Sequence, residues 1–162
     1  EGQGQRGGVS LGGGYAIGAQ HLINSCMRND KVTVILINNV NYAMTGGQMA
    51  PTTLNSQKTT TSPVGRDFQK FGKPIHGPEM LSVISSEDAY IARTISTDIA
   101  DCKEKIKKAL QNQIDGRGFS MVEILAMCPV NWHLSTQESL DFSEKDMVKI
   151  FPLGEFKCQQ KS

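Results

Sequence analysis

The residues Val32-Thr33-Val34-Ile35-Leu36-Ile37 run without a spacer into Asn38-Asn39-Val40-Asn41-Tyr42-Ala43-Met44-Thr45-Gly46-Gly47-Gln48-Met49-Ala50-Pro51-Thr52-Thr53, and this stretch decides the fold. The first six are rich in β-branched side chains between polar ends, the pattern of a strand buried on both faces. Two amides, a hydroxyl and a Gly-Gly pair then arrive together at the strand's carboxyl end. In open α/β sheets that end is where ligands bind. Asparagine oxygens and free backbone carbonyls are hard ligands suited to Mg²⁺, and the metal in turn holds phosphates. Gly46 and Gly47 would let the backbone approach such a ligand closely.

Outward from this stretch, strands and helices alternate. Ile17, Leu22, Ile23 and Met27 share one helical face ahead of the strand, with Arg28 and Asn29 closing the helix. Residues 41–75 read as one long loop carrying Thr45, Thr52, Thr53, Thr59, Thr60 and Thr61, a length that marks functional or disordered segments. A short helix is predicted over 78–85 and a second strand over 89–95. Ser96 or Thr97 then caps an amphipathic helix with Ile99, Cys102, Ile106, Leu110 and Ile114 at helical spacing, ended by Gly116. A third strand is predicted over 119–125, Ser135 with Glu138 forms a capping box, and another helix begins at Ser143. The alternation predicts an α/β fold: a mostly parallel sheet with helices on both faces. Residues 1–14 are half glycine and are expected to be a mobile leader to a domain over 15–157, with a tail at 158–162.

Composition excludes several classes. A net charge of +1 without a basic stripe gives no nucleic-acid footprint. Lys103, Lys105, Lys107 and Lys108 interleave with Glu104 and apolar residues as a solvated helix face. No apolar run approaches the roughly 20 residues that span a bilayer, and no signal peptide is recognisable, so no membrane is expected and the location reads as cytoplasmic. Cys26, Cys102, Cys128 and Cys158 form no CxxC pair and read as buried free thiols. His21, His76 and His133 show no metal spacing. Gly2-x-Gly4-x-x-Gly7 matches the dinucleotide fingerprint in letters but lacks the preceding strand and following helix that give it meaning.

The run 38–53 resembles the thiamine diphosphate motif in the β subunits of 2-oxoacid:ferredoxin oxidoreductases, most closely the 2-oxoisovalerate/2-oxoglutarate branch. The similarity extends from about Tyr15 to Lys157, including the closing Phe151-Pro152-Leu153-Gly154-Glu155-Phe156-Lys157. It implies a thiamine-diphosphate-binding fold, incomplete at its N-terminus. In it, Mg²⁺ takes the side-chain oxygen of Asn39 and the backbone carbonyl of Asn41. Asn38, Thr45, Gly46, Gly47 and Gln48 would lie along the cofactor, with Thr45 and Met44 as catalytic candidates at the reacting centre. Cys128, in Cys128-Pro129-Val130-Asn131-Trp132, matches the fourth thiolate of a 4Fe–4S cluster whose other ligands belong to an earlier segment of the complete subunit. Arg66, at the end of Thr59-Thr60-Thr61-Ser62-Pro63-Val64-Gly65, is a candidate for a substrate carboxylate or a coenzyme A phosphate.

The implied activity is coenzyme A-dependent oxidative decarboxylation of a 2-oxoacid, with an α subunit, a ferredoxin-like subunit and ferredoxin as partners. One departure is plain. The family's Gly-Asp-Gly, whose Asp is the third metal ligand, would fall at Leu11, within Ser10-Leu11-Gly12-Gly13-Gly14. Two further readings therefore stand beside the first: a non-catalytic remnant that does not bind cofactor, and a dinucleotide-binding domain.

Overall fold

The computed structural model describes residues 6–11 and 13–158, with side chains from Gly13 onward. Its main sheet has five strands: β1 (Arg6–Leu11), β2 (Val32–Asn38), β5 (Tyr90–Ile95), β6 (Ser120–Leu125) and β7 (Gly154–Lys157), in the order β1-β2-β6-β5-β7. The first four run parallel, and β7 adds to the β5 edge in the antiparallel sense. Arg6–Leu11, placed in a mobile leader on its glycine content, is thus a strand. It pairs with β2 from Arg6↔Val32 to Leu11↔Ile37, because ladder hydrogen bonds need only backbone. Residues 1–5 and 12 of that leader, and 159–162 of the tail, lie outside the described residues, as do Gly2 and Gly4 of the glycine fingerprint; Gly7 is in β1.

Helices cover both faces. On one, α1 (Ala19–Met27) and α3 (Gly77–Ile84) bury Leu22, Cys26 and Leu81 against Leu36, Ile91 and Met121. On the other, α4 (Ile99–Ile114) sets Cys102, Ile106 and Ala109 against Ile35, Ile37, Ala92, Val122 and Ile124. Strands β5 and β6 are buried at every position, whereas Val32, Val34, Ile35 and Ile37 of β2 are only partly so.

The buried face of α4 is turned from the one that apolar spacing suggests. Ile99, Leu110 and Ile114 are exposed, while Lys105, Asn112 and Gln113 are buried. Lys105 lies inward because it pairs with Asp101 one turn earlier, so it is not on the solvated face. The cap is Asp98, which accepts from the Asp101 N–H, rather than Ser96 or Thr97.

The stretch expected as one loop holds a small hairpin, β3 (Asn41–Tyr42) with β4 (Gln48–Met49), and the single turn α2 (Phe68–Phe71). After β6 come α5 (Pro129–Trp132) and then α6 (Thr136–Asp141), which carries the expected Ser135–Glu138 capping box. A π-helical stretch, Phe142–Met147, leads on to α7 (Val148–Ile150). Together these cover the carboxyl end of the sheet, packing Met147 and Phe151 against Val40, Leu54, Ile95 and Leu125.

Candidate functional site

Strand β2 ends in a turn fixed by side chains. Asn38 points into the sheet: its Nδ2 donates to Glu123 Oε1 at 2.9 Å, and its Oδ1 accepts the Val40 N–H at 3.1 Å. Val40 is fully buried at φ +53°, a left-handed conformation that a β-branched residue adopts only under constraint. Its carbonyl accepts from Thr53 Oγ1 at 2.6 Å, and that hydroxyl accepts the Ala50 N–H at 2.8 Å.

On either side of Val40, Asn39 and Asn41 line a cavity of about 510 Å³, together with Gly13, Ile17, Tyr42, Ala43, Met44 and Thr45. Asn41 Oδ1 is buried and has no hydrogen-bond partner among the described residues. Ile17 and Met44 stand at the cavity 90% and 86% exposed, unusual for large apolar side chains.

The other expected site residues divide. Thr45 and Met44 line the cavity. Asn38, Gly46, Gly47 and Gln48 do not. Gln48 folds back on Thr45, its Nε2 donating to the Thr45 carbonyl and its Oε1 accepting from Thr45 Oγ1, both at 2.6 Å. Gly46 and Gly47, at φ +112° and +77°, turn the chain between β3 and β4. A Cβ on Gly47 would lie 3.1 Å from Asn131 Oδ1, so the close approach it permits is to α5.

Two residues that the sequence reading did not single out hold this turn from the other side. Trp132 Nε1 donates to the Asn39 carbonyl at 3.2 Å, and Asn131 Nδ2 donates to the Ala43 carbonyl at 3.1 Å. Their signal in the sequence is the Cys128-Pro129-Val130-Asn131-Trp132 string, which contains both. Cys128 is at the N-terminal end of α5, with its Sγ 3.3 Å from Asn131 Nδ2.

Arg66 is spoken for. Its Nη1 donates to the carbonyls of Ala50, Pro51 and Thr53 and its Nη2 to those of Phe71, Gly72 and Lys73, at 2.8–3.3 Å. Burial pulls its guanidinium below the ordinary arginine value. Both terminal nitrogens are thus taken up in fastening the loop over 50–73, while its buried Nε has no partner among the described residues.

Beneath the turn lies a buried polar ladder. Arg93 pairs with Glu123 on the neighbouring strand, donates to Glu79 Oε1 and Oε2 at 2.8 and 2.7 Å, and donates to the Pro152 carbonyl at 2.9 Å. Its guanidinium carbon lies 5.4 and 5.0 Å from the Phe151 and Phe156 ring centres. Burial pushes the Glu123 carboxyl up against the opposing pull of Arg93. Burial also opposes ionisation of Glu79, but hydrogen bonding and charge from Arg93 prevail and hold it below the usual range.

The cavity's donors suit a hard cation carrying phosphate: amide and carbonyl oxygens, with one buried oxygen left unpaired. Among the described residues no carboxylate lines it, so the negative charge must come from the ligand. An iron–sulfur cluster does not fit the described residues alone. Among the described residues no group of three or more His, Cys, Asp or Glu is placed to hold a metal, and Cys26 is buried between α1 and α3, donating to the Leu81 carbonyl at 3.6 Å. Cys158, expected to be buried, is exposed.

A mostly parallel sheet with a largely apolar cavity, walled in part by two asparagines at the carboxyl end of an inner strand, defines an α/β cofactor-binding domain. The sequence profile described as "Thiamine pyrophosphate enzyme, C-terminal TPP binding domain" matches residues 12–124, and the chain belongs to that family. It is 38% identical over 145 residues to the ketoisovalerate oxidoreductase subunit VorA of Methanothermobacter thermautotrophicus, covering 88% of this chain and 30% of that protein. It is 33% identical to the 2-oxoglutarate synthase subunit KorB of Archaeoglobus fulgidus, covering 86% of this chain and 50% of that one. The chain thus spans between three-tenths and a half of these relatives' length.

A solved 2-oxoglutarate:ferredoxin oxidoreductase from Magnetococcus marinus, with 2-oxoglutarate, coenzyme A and succinyl-CoA bound, superposes with a TM-score of 0.71. The match covers 95% of this chain and 57% of that one at 20% identity, a likeness of fold. No helix among the described residues is long and apolar enough to cross a membrane.

Proposed function

We propose that this chain is the cofactor-binding part of a 2-oxoacid:ferredoxin oxidoreductase β subunit. It holds thiamine diphosphate through Mg²⁺ by the Asn39 side-chain oxygen and the Asn41 carbonyl. The observation that carries this reading is the pair of asparagines on the wall of one cavity at the end of β2, with Val40 strained between them. When bound, thiamine diphosphate supplies the carbanion chemistry that oxidative decarboxylation of a 2-oxoacid requires. The chain supplies orientation. Trp132 and Asn131 fix the far side of the turn, and Thr45, its hydroxyl bonded to Gln48, lines the cavity beside Met44.

The substrate is a 2-oxoisovalerate-type acid or 2-oxoglutarate, with coenzyme A as acyl acceptor and ferredoxin as electron acceptor. An α subunit and a ferredoxin-like subunit complete the enzyme in the cytoplasm, and the exposed Ile17 and Met44 suit a partner surface closing over the cavity. Cys128 would give one thiolate to a 4Fe–4S cluster whose other ligands come from outside the described residues.

Titration calorimetry with thiamine diphosphate and MgCl₂ tests the reading. Mg²⁺-dependent binding, abolished in Asn39→Ala, is expected. No heat and no thermal shift at millimolar cofactor would favour the non-catalytic remnant, which lacks the family's aspartate, and a response to NAD alone would favour the dinucleotide reading. The complex isolated from its source is expected to reduce a viologen dye only with 2-oxoacid and coenzyme A together.

A further inference from the structure

The strained Val40 lies between the two residues assigned to the cation, and both of its backbone polar groups are pinned by side chains: the N–H by Asn38 and the carbonyl by Thr53. A left-handed β-branched residue is strained and persists only where its surroundings over-determine it. The Thr53 pin is local. The Asn38 pin is not, because the amide can accept from Val40 only while its nitrogen is held elsewhere, and Glu123 holds it. Glu123 is fully buried and is itself oriented by Arg93 on the adjacent strand, which Glu79 of α3 grips from the other side. Three adjacent strands and one helix thus converge on a single backbone torsion beside the cavity.

We infer that Asn38 is a positioning residue of the cofactor site: locked by the Glu123–Arg93–Glu79 ladder, it holds Val40 left-handed and so brings the Asn39 and Asn41 oxygens to one cation. This rests on the reading above for the identity of the ligand, though not for the clamp itself. The ladder could serve stability alone, so the decisive test is a polarity swap. Asn38→Asp sets two carboxylates against each other. Adding Glu123→Gln restores the hydrogen bond with donor and acceptor exchanged, and leaves an oxygen at residue 38 for the Val40 N–H and one at residue 123 for Arg93.

Two quantities are read: affinity for thiamine diphosphate with Mg²⁺, and the hydrogen-exchange rate of the Val40 amide in the cofactor-free chain. Asn38→Asp is expected to weaken binding about 10–100-fold, the range for residues that orient metal ligands, and to speed Val40 exchange by a similar factor. The double variant is expected to return both to within about threefold of the parent. Should Asn38→Asp fail to fold, Asn38→Ala, which creates no charge clash, carries the same expectation for both readouts. Unchanged binding and exchange in the single variant, or equal loss in the double, would overturn the inference. If the parent itself binds no thiamine diphosphate, the functional reading fails and Val40 exchange alone decides the clamp.

Discussion

Residues 50–73 solvate much of their own backbone: one buried arginine donates to three carbonyls at the start of the loop and three at its end, so irregular backbone closes on a side chain of its own. Residues 39–49, immediately before, do the reverse. They leave Asn41 Oδ1 buried without a partner, hold Val40 in strain, and expose Met44 beside an open cavity. Buried polar groups are paired almost everywhere in folded proteins; the exception within 50–73 is a donor, Arg66 Nε, whereas within 39–49 it is an amide oxygen of a residue on a cavity wall, the kind of atom a cation completes. The first segment behaves as scaffold, and the second is the one proposed as site.

The largest expected effect tests the scaffold. Arg66→Ala removes the donor shared by six carbonyls, and a stability loss of about 4 kcal/mol is expected from urea unfolding, since buried acceptors left without donors are costly. A loss under about 1 kcal/mol would mean that the loop is solvated after all and would erase the contrast.

Two glycines sharpen it further. A Cβ on Gly65, at φ +98°, would meet the Ser56 carbonyl oxygen at 2.6 Å, whereas one on Gly46, at φ +112°, would find nothing nearer than the Gln48 side chain at 3.6 Å. Gly65→Ala is therefore expected to cost about 3 kcal/mol and Gly46→Ala about 1, the latter from backbone conformation alone. Equal costs would show that the two segments are packed alike. Next in size is Asn41→Leu. It replaces an amide whose buried oxygen has no partner among the described residues by an apolar group of similar volume, and is expected to raise the stability of the cofactor-free chain by about 1 kcal/mol. A drop would mean that the Asn41 oxygen has a partner within the fold.

The site was more legible in the sequence than the scaffold, for a physical reason. The β-branched run and the Asn-Asn turn are contiguous, so strand, strand end and the candidate ligand residues on the cavity wall read off together. Arg66 reaches backward to residues 50–53 and forward to 71–73, and a guanidinium that binds carbonyls leaves the same letter as one that binds phosphate. β1 was hidden because its ladder is made by backbone, which glycine supplies as well as any residue. The face of α4 was misread because an ion pair one turn apart, Lys105 with Asp101, buried a lysine where apolar spacing predicted solvent. The Arg93–Glu123 pairing joins strands thirty residues apart, a contact that register decides and composition does not.

The smallest effect separates the two kinds of polar group by pH. The only ionisable side chain over 39–49 is the Tyr42 phenol, which burial pushes above its ordinary value, so acid must act on the fold elsewhere. Asp101 is one such place. Burial opposes its ionisation, but hydrogen bonds from Lys105 and Thr94 prevail and hold its carboxyl below the usual range. A carboxyl depressed in the folded state contributes stability that is fully present above its unfolded value near 4 and is lost as pH falls through the folded value. Asp101→Asn is thus expected to cost up to about 1 kcal/mol at pH 7, a partly exposed pair being worth no more, and progressively less as the parent's carboxyl protonates in both states. Asn41→Leu should shift stability equally at every pH, because an amide does not titrate. Urea midpoints taken from neutral to acid pH are expected to converge on the parent for the first variant and to run parallel to it for the second. Convergence of the second would tie the Asn41 turn to a titrating neighbour, and the division between a self-solvated loop and a ligand-completed one would fall.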